Sequence, residues 1–571
     1  MKKGKKPVRL ATLLLCVTCL VSALAGCGSG TGDQASSEPE GPQSEINITE
    51  GTTDGVLEGA AATEMVDKVV ATISSNTLET SPFSPPSSSM TMKPMMYATL
   101  IYRDYYGAPL EDCSMWVAKS VTKVDDLTYD IELYDYVTDN QGNNINADDV
   151  IFSYEKSAEL AQFTNARSNM ESLTKTGEYS LQMKITKNAP GVIEDLLSNA
   201  QLYIVDQEWY ENATDEERRN NPAVTGAYRL VDNEGGSTVT LEAVENYWQQ
   251  DTALRPIAAY QNVKTIVFKG ITEGSMRLIA LENGEVDVTS INNSDLSRVY
   301  ADGAPLEGYN VTLAGGNYGF SAFLNMDSGK SVLADNVDLR RAVLYAMNSE
   351  DVMYATGADE YTGVVIHDIA TQYQSGFVDA WNDQDYFNYD PEKAAEYLEA
   401  AGYKPGEVTL RMLSSSTTFT DSVRAVLIAN LEEAGFKVDS LAVDQALFNT
   451  YKNDSTQWDI MLDMKGSSTG NIVGVWDYCF NPVGYENGSV CFTHDEELVR
   501  LLEEVSANPV EENMTAFHNY LIDQAICKGL YTYLSASASQ DGILELKVDG
   551  TGVNVIVNAL VFAEDYQSVA G

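Results

Sequence analysis

Positive charge is scarce in this sequence. Lys and Arg together number 36 against 84 Asp and Glu, which gives a formal net charge of −48. Five of the basic residues lie within positions 1–9, so the remainder of the chain is more acidic still. Such a field repels phosphate backbones, and we therefore expect no nucleic-acid partner. Because a large net charge also opposes self-association, we expect a monomer.

Histidine and cysteine, the residues that most often bind transition metals, are also rare. The chain has 3 His and 7 Cys. The Cys that follow residue 27 are Cys113, Cys479, Cys491 and Cys527, and no two of these form a C-x-x-C motif. No His shares a helical motif with an acid. We therefore expect neither a metal site nor a cofactor.

Long apolar runs are missing after the N-terminus. The run at 10–26, LATLLLCVTCLVSALAG, follows the basic segment 1–9. This order is typical of a secretory signal peptide, here 1–26, and is short for a spanning helix. The run ends in Leu24-Ala25-Gly26-Cys27, which is similar to a bacterial lipobox and predicts that Cys27 carries the lipid. An ordinary signal peptide with an incidental Cys is the alternative.

A lipid on Cys27 would place the chain outside the cell, anchored to the membrane without spanning it. Residues 27–61 are rich in Gly, Ser, Pro and acids, and this composition predicts a flexible tether. An exported protein can also form disulfides, and a bond between Cys479 and Cys491 would close a short loop. Spacing alone leaves that pairing open.

The body of the chain mixes strand and helix patterns. Residues 127–134 and 237–244 alternate apolar and polar side chains, as half-buried strands do. After Asp390-Pro391, an N-cap followed by proline, helix and strand patterns alternate. The predicted elements are a helix from 391, a strand at 407–413, a helix at 421–434, a strand at 436–443, a helix at 445–451 and a strand at 458–464. This order predicts an α/β lobe with crossover connections.

Five segments carry a family resemblance through their order along 65–565. They are GNNINADDVIFSYEK (142–156), NPAVTGAYRLVDNEGGSTVTLEAVENYW (221–248), MRLIALENGEVDV (276–288), LNMDSGKSVLADNVDLRRAVLYAMNSEDV (324–352) and YDPEKAAEYLEAAGY (389–403). Each motif alone is weak, but all five in sequence behind a lipobox are specific. The chain resembles the extracellular solute-binding proteins of ABC importers, family 5, the oligopeptide, dipeptide and nickel type.

The resemblance implies an α/β fold of two lobes, as in periplasmic binding proteins of the large class with an extra subdomain. The ligand cleft would lie between the lobes. The implied parts are lobe I at 62–91, 219–314 and 531–571, the extra subdomain at 92–218, and lobe II at 315–530. The lobes of such proteins close on the ligand by a hinge motion.

The implied function is that of a membrane-anchored, extracellular substrate-binding subunit. It would capture peptides or a related small solute and deliver them to the ABC permease subunits in the membrane. The resemblance therefore implies a binding protein and not an enzyme. A solute sensor that signals without transport is an alternative that the sequence does not separate from import.

Three loops are expected to face the cleft, namely 81–90, 315–320 and 470–480. The candidate ligand-binding residues on them are Tyr318, Phe320, Trp476, Asp477 and Tyr478. Aromatic faces with one carboxylate suit a small-solute site, although plain core packing is the alternative for each aromatic side chain. Peptide binders of the family often hold the ligand ammonium with an earlier Asp. Here Asp477 comes later, and this departure leaves peptide specificity open.

A serine hydrolase is the competing class. Residues 466–470, GSSTG, fit G-x-S-x-G with Ser468 as the nucleophile, and His494 or His518 would be the base. That motif requires a strand before it and a helix after it. We expect no helix at 471–482, because Gly474 and Pro482 interrupt the pattern. A loop at the cleft rim is therefore favoured, and we expect no catalytic residue.

Two adjacent acids, Asp148 and Asp149, invite a catalytic or metal-binding interpretation. They follow Asn146, which suits an N-cap, and they precede an apolar face. Asp149 stands at the third helical position, from which a carboxylate can reach back to the amide of the cap residue. We therefore expect these acids to begin a helix.

Overall fold

The structure is a computed structural model that describes residues 61–75, 78–84, 91–105, 107–160, 167, 169–466, 469–482, 490–549 and 554–570. Cys27, the predicted signal peptide and Ser468 lie outside these residues, as does the predicted tether apart from Ala61. Among the helices that the structure describes, none is both long enough and apolar enough to cross a bilayer.

Strands run through the whole described chain. They are β1 Val66–Ile73, β2 Ile101–Tyr102, β3 Ser114–Met115, β4 Ala118–Asp125, β5 Thr128–Leu133, β6 Met170–Gly177, β7 Ser180–Ile185, β8 Tyr228–Glu234, β9 Thr238–Ala243, β10 Val263–Gly270, β11 Val288–Ile291, β12 Tyr300–Ala301, β13 Ala304–Pro305, β14 Tyr309–Ala314, β15 Gly319–Leu324, β16 Gly363–Val365, β17 Thr409–Ser415, β18 Lys437–Val443, β19 Ile460–Lys465, β20 Cys527–Tyr533, β21 Ser535–Gln540, β22 Ile543–Glu545 and β23 Val561–Phe562. The strands predicted at 127–134, 237–244, 407–413, 436–443 and 458–464 are all present, each within two residues of its expected bounds.

Helices are concentrated in the second half of the chain. They are α1 Lys93–Met96, α2 Ala147–Leu160, α3 Val192–Ser198, α4 Gln207–Asn212, α5 Asp215–Asn220, α6 Gly274–Glu282, α7 Val337–Ala346, α8 Ser349–Tyr354, α9 Pro391–Ala400, α10 Asp421–Glu433, α11 Gln445–Tyr451, α12 Ile472–Phe480, α13 Glu496–Ala507 and α14 Glu511–Gln524. Helix α9 begins as its sequence predicts, because the Asp390 side chain accepts hydrogen bonds from the amides of Glu392 and Lys393.

The first large sheet is built from both ends of the chain. Its strand order is β14-β21-β11-β1-β10-β9-β8, so a strand from near the C-terminus lies between β14 and β11. β1 pairs in parallel with β10 from Val66 opposite Val263 to Ile73 opposite Gly270. Parallel pairing of strands so far apart in sequence requires the intervening chain to leave the sheet and return.

The second large sheet has the order β16-β20-β15-β19-β17-β18. β17 is parallel to both β18 and β19, and α10 and α11 connect these strands, as the alternating helix and strand patterns predict. Side chains of β15 alternate between two cores. Phe320 and Leu324 pack with α7, α9 and α10, whereas Phe323 packs with α12, α13 and α14. The sheet therefore lies between two helical layers, and the mixed α/β class is confirmed.

A smaller antiparallel sheet, β4-β5-β7-β6, lies within residues 118–185. Helix α2 accompanies this sheet and begins as expected. The Asp148 amide donates to Asn146 Oδ1 and the Asn146 amide donates to Asp149 Oδ2, both at 2.8 Å. Asp148 also forms an ion pair with Lys175 at 2.7 Å. The adjacent acids thus begin a helix, and their contacts account for both carboxylates.

The expectation that 471–482 forms no helix is wrong, because α12 spans Ile472–Phe480. The Asn471 side chain accepts from the Val473 amide and supplies an N-cap. Burial of apolar residues such as Val475 and Trp476 outweighs the helix propensity lost at Gly474, roughly 1 kcal/mol. Pro482 lies beyond the last turn and breaks nothing.

The cysteines of the described chain are buried, and no disulfide joins any two of them. They are Cys113, Cys479, Cys491 and Cys527. Cys479 and Cys491 therefore form no disulfide with each other in this structure, although the backbone amide of Val490 donates to the Cys479 carbonyl at 3.1 Å. Burial raises the pKa of Cys479 to about 12, so this thiol stays protonated and packs as a small apolar group.

Candidate functional site

A cavity of about 330 Å³ lies where three stretches of chain meet Tyr318. The stretches are the segment around β2, the segment that follows α3, and the C-terminal segment around Asn554. Tyr318 directly precedes β15 of the second large sheet, and its backbone carbonyl accepts from Thr532 Oγ1 at 3.0 Å. The cavity therefore joins residues of the 92–218 region and the C-terminal segment to the second sheet.

Aromatic side chains form a large part of the cavity wall, beside aliphatic residues such as Met95 and Ile556. The aromatic residues are Tyr102, Tyr105, Trp116, Tyr203 and Tyr318. Packing holds several of them in place: the rings of Tyr102 and Trp116 meet edge to face at 6.0 Å, and Trp116 Nε1 donates to the hydroxyl of Tyr247 at 2.8 Å. Tyr318 keeps 46% of its surface exposed. Flat aromatic walls with hydroxyl groups are typical of sites for small amphipathic solutes.

Charged groups in the wall are paired within the protein. Arg103 Nη2 lies 3.3 Å from Asp195 Oδ1, and Asn199 Nδ2 donates to the same carboxylate oxygen at 3.1 Å. Asp549 Oδ2 accepts from Asn554 Nδ2 at 2.8 Å. Among the described residues of the wall there are two acids and one base, which gives this part of the wall a net negative charge that opposes an anionic occupant.

The phenols of the wall stay neutral. Burial raises the pKa of Tyr203 well above its usual value, and the nearby Tyr97 and Asp549 act in the same direction. Burial likewise raises the pKa of Tyr318, with a smaller contribution from Asp549. Both hydroxyls therefore remain able to donate a hydrogen bond throughout the physiological pH range.

Two glycines let the 92–218 region approach residues 469–470, just before α12, closely. Gly191 has φ +78°, and a Cβ there would lie 2.6 Å from the Cβ of Thr469. Gly107 has φ +79°, and a Cβ there would collide with the carbonyl oxygen of Gly470. Both positions combine a left-handed backbone with a close contact, so any side chain would separate the two surfaces.

An ion pair crosses the same boundary. Lys187 follows the four-stranded sheet, and its Nζ donates to Asp477 Oδ2 of α12 at 2.7 Å. Asp477 Oδ1 also accepts from Asn481 Nδ2 at 2.8 Å. The carboxylate thus connects α12 to the four-stranded-sheet region.

A serine hydrolase would need a histidine base, and His518 is one of its two candidates. His518 Nδ1 lies 2.7 Å from Asp368 Oδ2, its Nε2 lies 3.0 Å from Gln384 Oε1, and both His518 and Asp368 are fully buried. Trp381 stacks on the imidazole ring at 4.2 Å. Both ring nitrogens are already engaged, so this histidine has no free nitrogen for a serine nucleophile. His494 is exposed.

Titratable side chains elsewhere do not assemble into a metal-binding set. Within the described residues there is no group of three or more His, Cys, Asp or Glu side chains placed to hold a metal ion. The acids around the start of α2 are instead engaged as a cap and as an ion pair with Lys175. The cavity around Tyr318 is therefore the candidate functional site.

Comparison with known proteins identifies the family. The sequence profile described as bacterial extracellular solute-binding proteins, family 5 Middle, matches residues 113–486, more than half of the chain. The chain belongs to this family. The resemblance read from the five motifs is thereby confirmed.

Individual family 5 proteins are distant in sequence. The dipeptide-binding protein of Escherichia coli K12 is 26% identical over 285 residues, which are 46% of this chain and 48% of that protein. The match thus spans about half the length of that relative. The oligopeptide-binding protein AppA of Bacillus subtilis is 21% identical over 440 residues, 72% of this chain and 75% of AppA.

A solved structure of a substrate-binding protein confirms the two-lobed binding-protein fold. The crystal structure of the ABC transporter substrate-binding protein CtaP from Listeria monocytogenes superposes with a TM-score of 0.70 at 17% identity. The superposition covers 88% of this chain and all of that chain. At this identity the likeness establishes the architecture and leaves the ligand to be argued from the residues of the site.

Only one of the five residues proposed from the sequence for the family 5 cleft lines the cavity. Tyr318 is that residue. Phe320 is buried and stacks on Tyr531 with ring centroids 4.6 Å apart, and Trp476 is fully buried and donates to Asp368 Oδ1 at 2.9 Å. The structure thus gives these two side chains a packing role.

The other two residues lie on the surface of α12. Asp477 pairs with Lys187, and Tyr478 is 48% exposed with Lys465 Nζ 5.3 Å from its ring centroid. Neither contributes to the cavity wall. The sequence predicted a loop here that would face the cleft, whereas the helix turns successive side chains to different sides.

Most of the polar wall was missed by the sequence reasoning. The missed residues include Arg103, Asp195, Gln201, Tyr203 and Asn558. A usable signal was the segment IYRDYYG at 101–107, where an arginine stands among three tyrosines. Asn558 had no such signal, because it joins the cavity only through the fold of the C-terminal segment.

Proposed function

We propose that this chain is the extracellular substrate-binding subunit of an ABC importer and that it binds a short peptide or a related small solute. The observation that carries the proposal is the cavity in a chain of the family 5 fold. Its aromatic walls, its polar groups and its contact with Tyr318, which directly precedes β15 of the second sheet, suit a ligand held between two parts of the protein. The names of the dipeptide- and oligopeptide-binding relatives support peptides as the first class to test.

The proposed function involves a chain divided into two lobes and an extra subdomain. We propose lobe I at 62–91, 219–314 and 531–571, an extra subdomain at 92–218, and lobe II at 315–530. The seven strands of the first large sheet, the four-stranded sheet and most of the second large sheet follow this division, which supports it. A ligand that contacts both sides of the cavity would bind the closed arrangement more tightly than the open one. Binding would therefore shift the protein toward the closed arrangement.

Binding can be tested with the full-length protein in detergent micelles. A saturable rise of the melting temperature with the dipeptide Ala-Phe or a longer peptide is the expected result, since a ligand at 100 times its dissociation constant adds about 2.7 kcal/mol. Tyr318→Ala should weaken binding, whereas Tyr354→Ala, an equally exposed tyrosine outside the cavity, should not. Absence of any saturable shift across the peptides would overturn the proposal.

Anchoring and delivery need separate experiments. We propose that a lipid on Cys27 holds the protein on the outer side of the membrane, so Cys27→Ser should move it from the membrane fraction to the soluble fraction. Delivery to a permease predicts that deleting the protein abolishes uptake of labelled Ala-Phe by cells. Uptake that is unchanged after deletion, with a lost transcriptional response to the peptide, would instead indicate a sensor.

A further inference from the structure

Residues 315–318 carry the chain from the first large sheet to the second. They join β14 to β15, and the last of them, Tyr318, lines the cavity. Three consecutive carbonyls of this crossing accept hydrogen bonds from side chains, Gly316 from Thr371 Oγ1 at 2.8 Å, Asn317 from Gln374 Nε2 at 3.1 Å and Tyr318 from Thr532 Oγ1 at 3.0 Å. All three donor side chains are buried. Because little water competes for these bonds, they fix the backbone that carries Tyr318.

The side-chain amide of Gln374 is held in one orientation. Its Oε1 accepts from the backbone amide of Thr371 at 3.0 Å. Since a backbone N–H requires an acceptor, this contact turns the nitrogen of Gln374 toward the Asn317 carbonyl. Thr371 and Gln374 therefore hold each other as well as the crossing.

The segment 371–375 also contacts a second part of the cavity surroundings. The Ser375 amide donates to the Gly470 carbonyl at 3.1 Å. A Cβ at Gly107 would lie 2.8 Å from the Cβ of Ser375 and would collide with the carbonyl oxygen of Gly470. Tyr105 of the cavity wall stands two positions before Gly107. The segment 371–375 thus contacts both the crossing and the stretch of chain that carries another wall residue.

The ring of Tyr318 has a support of its own at Gly466, directly after β19. A Cβ at Gly466 would lie 2.5 Å from Cδ1 and 2.7 Å from Cε1 of that ring. The φ angle of Gly466 is outside the left-handed region, so its backbone is compatible with alanine. An alanine at this position would meet the tyrosine ring before any other atom and would displace it.

We propose that Thr371, Gln374 and Gly466 are positioning residues of the ligand site and that they act on the ligand through Tyr318. None of the three lines the cavity. Thr371 and Gln374 fix the backbone of Tyr318, and Gly466 fixes its ring. A side chain that is already in place loses less conformational freedom on binding, which raises the affinity. This inference rests on the proposed function, because it assigns residues to the same site.

A double-mutant cycle with Tyr318→Ala tests this dependence. Gln374→Met removes both side-chain hydrogen bonds with little change in shape. It should weaken binding of Ala-Phe to the full-length protein at least fivefold, as measured by titration calorimetry. In the Tyr318→Ala background the same substitution should change the affinity less than twofold, because the side chain that Gln374 positions is absent. A general loss of stability would affect both backgrounds alike.

Gln261→Met is the matched control for Gln374→Met. The Nε2 of Gln261 likewise donates to backbone carbonyls, those of Ala227 at 3.0 Å and Val244 at 2.9 Å, and Gln261 does not line the cavity. Its replacement should leave the affinity within twofold. Melting temperatures without ligand verify that each variant is folded.

Two further substitutions approach Tyr318 by other routes. Gly466→Ala should weaken binding at least fivefold, and less than twofold once Tyr318→Ala has removed the ring. Thr371→Val removes the hydroxyl at nearly constant shape and should weaken binding, whereas Thr371→Ser keeps the hydroxyl and should retain most of the affinity.

Hydrogen exchange gives a measurement without ligand. The peptide 315–320 should exchange faster in Gln374→Met than in the unmodified protein or in Gln261→Met, because the crossing has lost a buried hydrogen bond. This comparison decides the question if binding to Tyr318→Ala is too weak to titrate.

Each other outcome has a distinct meaning. Equal weakening by Gln374→Met and by Gly466→Ala in both backgrounds would overturn the inference while leaving solute binding intact. Unchanged exchange at 315–320 in Gln374→Met would do the same, since Gln374 would then not hold the crossing. If neither Ala-Phe nor a longer peptide binds the unmodified protein, the proposed function is overturned, and the inference falls with it.

Discussion

Lys187 Nζ donates to Asp477 Oδ2 at 2.7 Å and joins the four-stranded-sheet region to α12 across 290 positions of the sequence. Both side chains remain partly exposed, 37% for Lys187 and 27% for Asp477. The pair is therefore screened by solvent, and its contribution is small. The glycine contacts at Gly107 and Gly191 join the same two regions of the chain. We therefore expect the ion pair to influence how tightly the 92–218 region packs against the region of α12.

Lys187→Met is expected to weaken binding of Ala-Phe by up to about fivefold, since exposed ion pairs contribute roughly 0.2–1 kcal/mol. The difference from the unmodified protein should shrink at high ionic strength, where screening weakens the pair. Titration calorimetry at low and high salt measures both effects. Lys184→Met is the control, because Lys184 pairs with Glu171 inside the four-stranded sheet. Equal affinities for the two variants would contradict a role for the Lys187 pair in binding.

His518 and Asp368 form a fully buried polar pair, which makes them sensitive to truncation. His518→Ala leaves Asp368 Oδ2 without its histidine partner, while Oδ1 keeps the Trp476 indole and the Ala370 amide, and we expect the free energy of unfolding to fall by roughly 2–4 kcal/mol. His494→Ala should change it by less than about 0.5 kcal/mol, because His494 is exposed. Urea denaturation measures both values. A neutral His518→Ala variant would show that the pair adds little to stability.

Lys528 makes the free energy of unfolding depend on pH. It is fully buried, its Nζ lies 2.6–3.1 Å from the carbonyls of Leu344, Met347 and Phe387, and burial lowers its pKa to about 7. The unfolded chain keeps this proton up to about pH 10. Between pH 7 and about pH 10, Lys528 binds more protons in the unfolded state than in the folded state. Its contribution to the free energy of unfolding therefore rises with pH over this range.

Comparing the free energy of unfolding of the unmodified protein with that of Lys528→Met isolates the contribution of the Lys528 ammonium group. The stability difference between the unmodified protein and the variant should grow in favour of the unmodified protein by roughly 2 kcal/mol from pH 7 to pH 9. Denaturant titrations at the two pH values measure it. A difference that stays constant would mean that the three carbonyls keep the ammonium charged in the folded state.

The start of α2 is expected to be structural only. Replacing both Asn146 and Asp149 by Ala removes the two reciprocal cap bonds and should lower the free energy of unfolding by roughly 1–2 kcal/mol. Ligand affinity should not change, because neither residue lines the cavity. Thermal unfolding and calorimetry on the same variant measure the two quantities. A large loss of affinity with unchanged stability would assign these acids a part in binding.

Local signals in the sequence determined much of the fold. The Asp390 cap, the helix at 445–451 and the alternating strands at 127–134 and 237–244 were predictable because each depends on neighbours within a few residues. The order of the five motifs likewise predicted the family, since that order is a property of the chain alone. Helix α12 was the exception, because burial of its apolar side chains outweighed a glycine that argues against a helix.

The cavity was decided by tertiary structure. Tyr318 was within reach of sequence reasoning, but Arg103, Gln201 and Asn558 meet only when the C-terminal segment folds back against residues hundreds of positions earlier. Trp476 and Phe320 carry the same kind of aromatic signal as Tyr318, yet packing buries them. Sequence determines which side chains are available, whereas long-range packing determines which of them face a shared space, because that depends on contacts that no local pattern encodes.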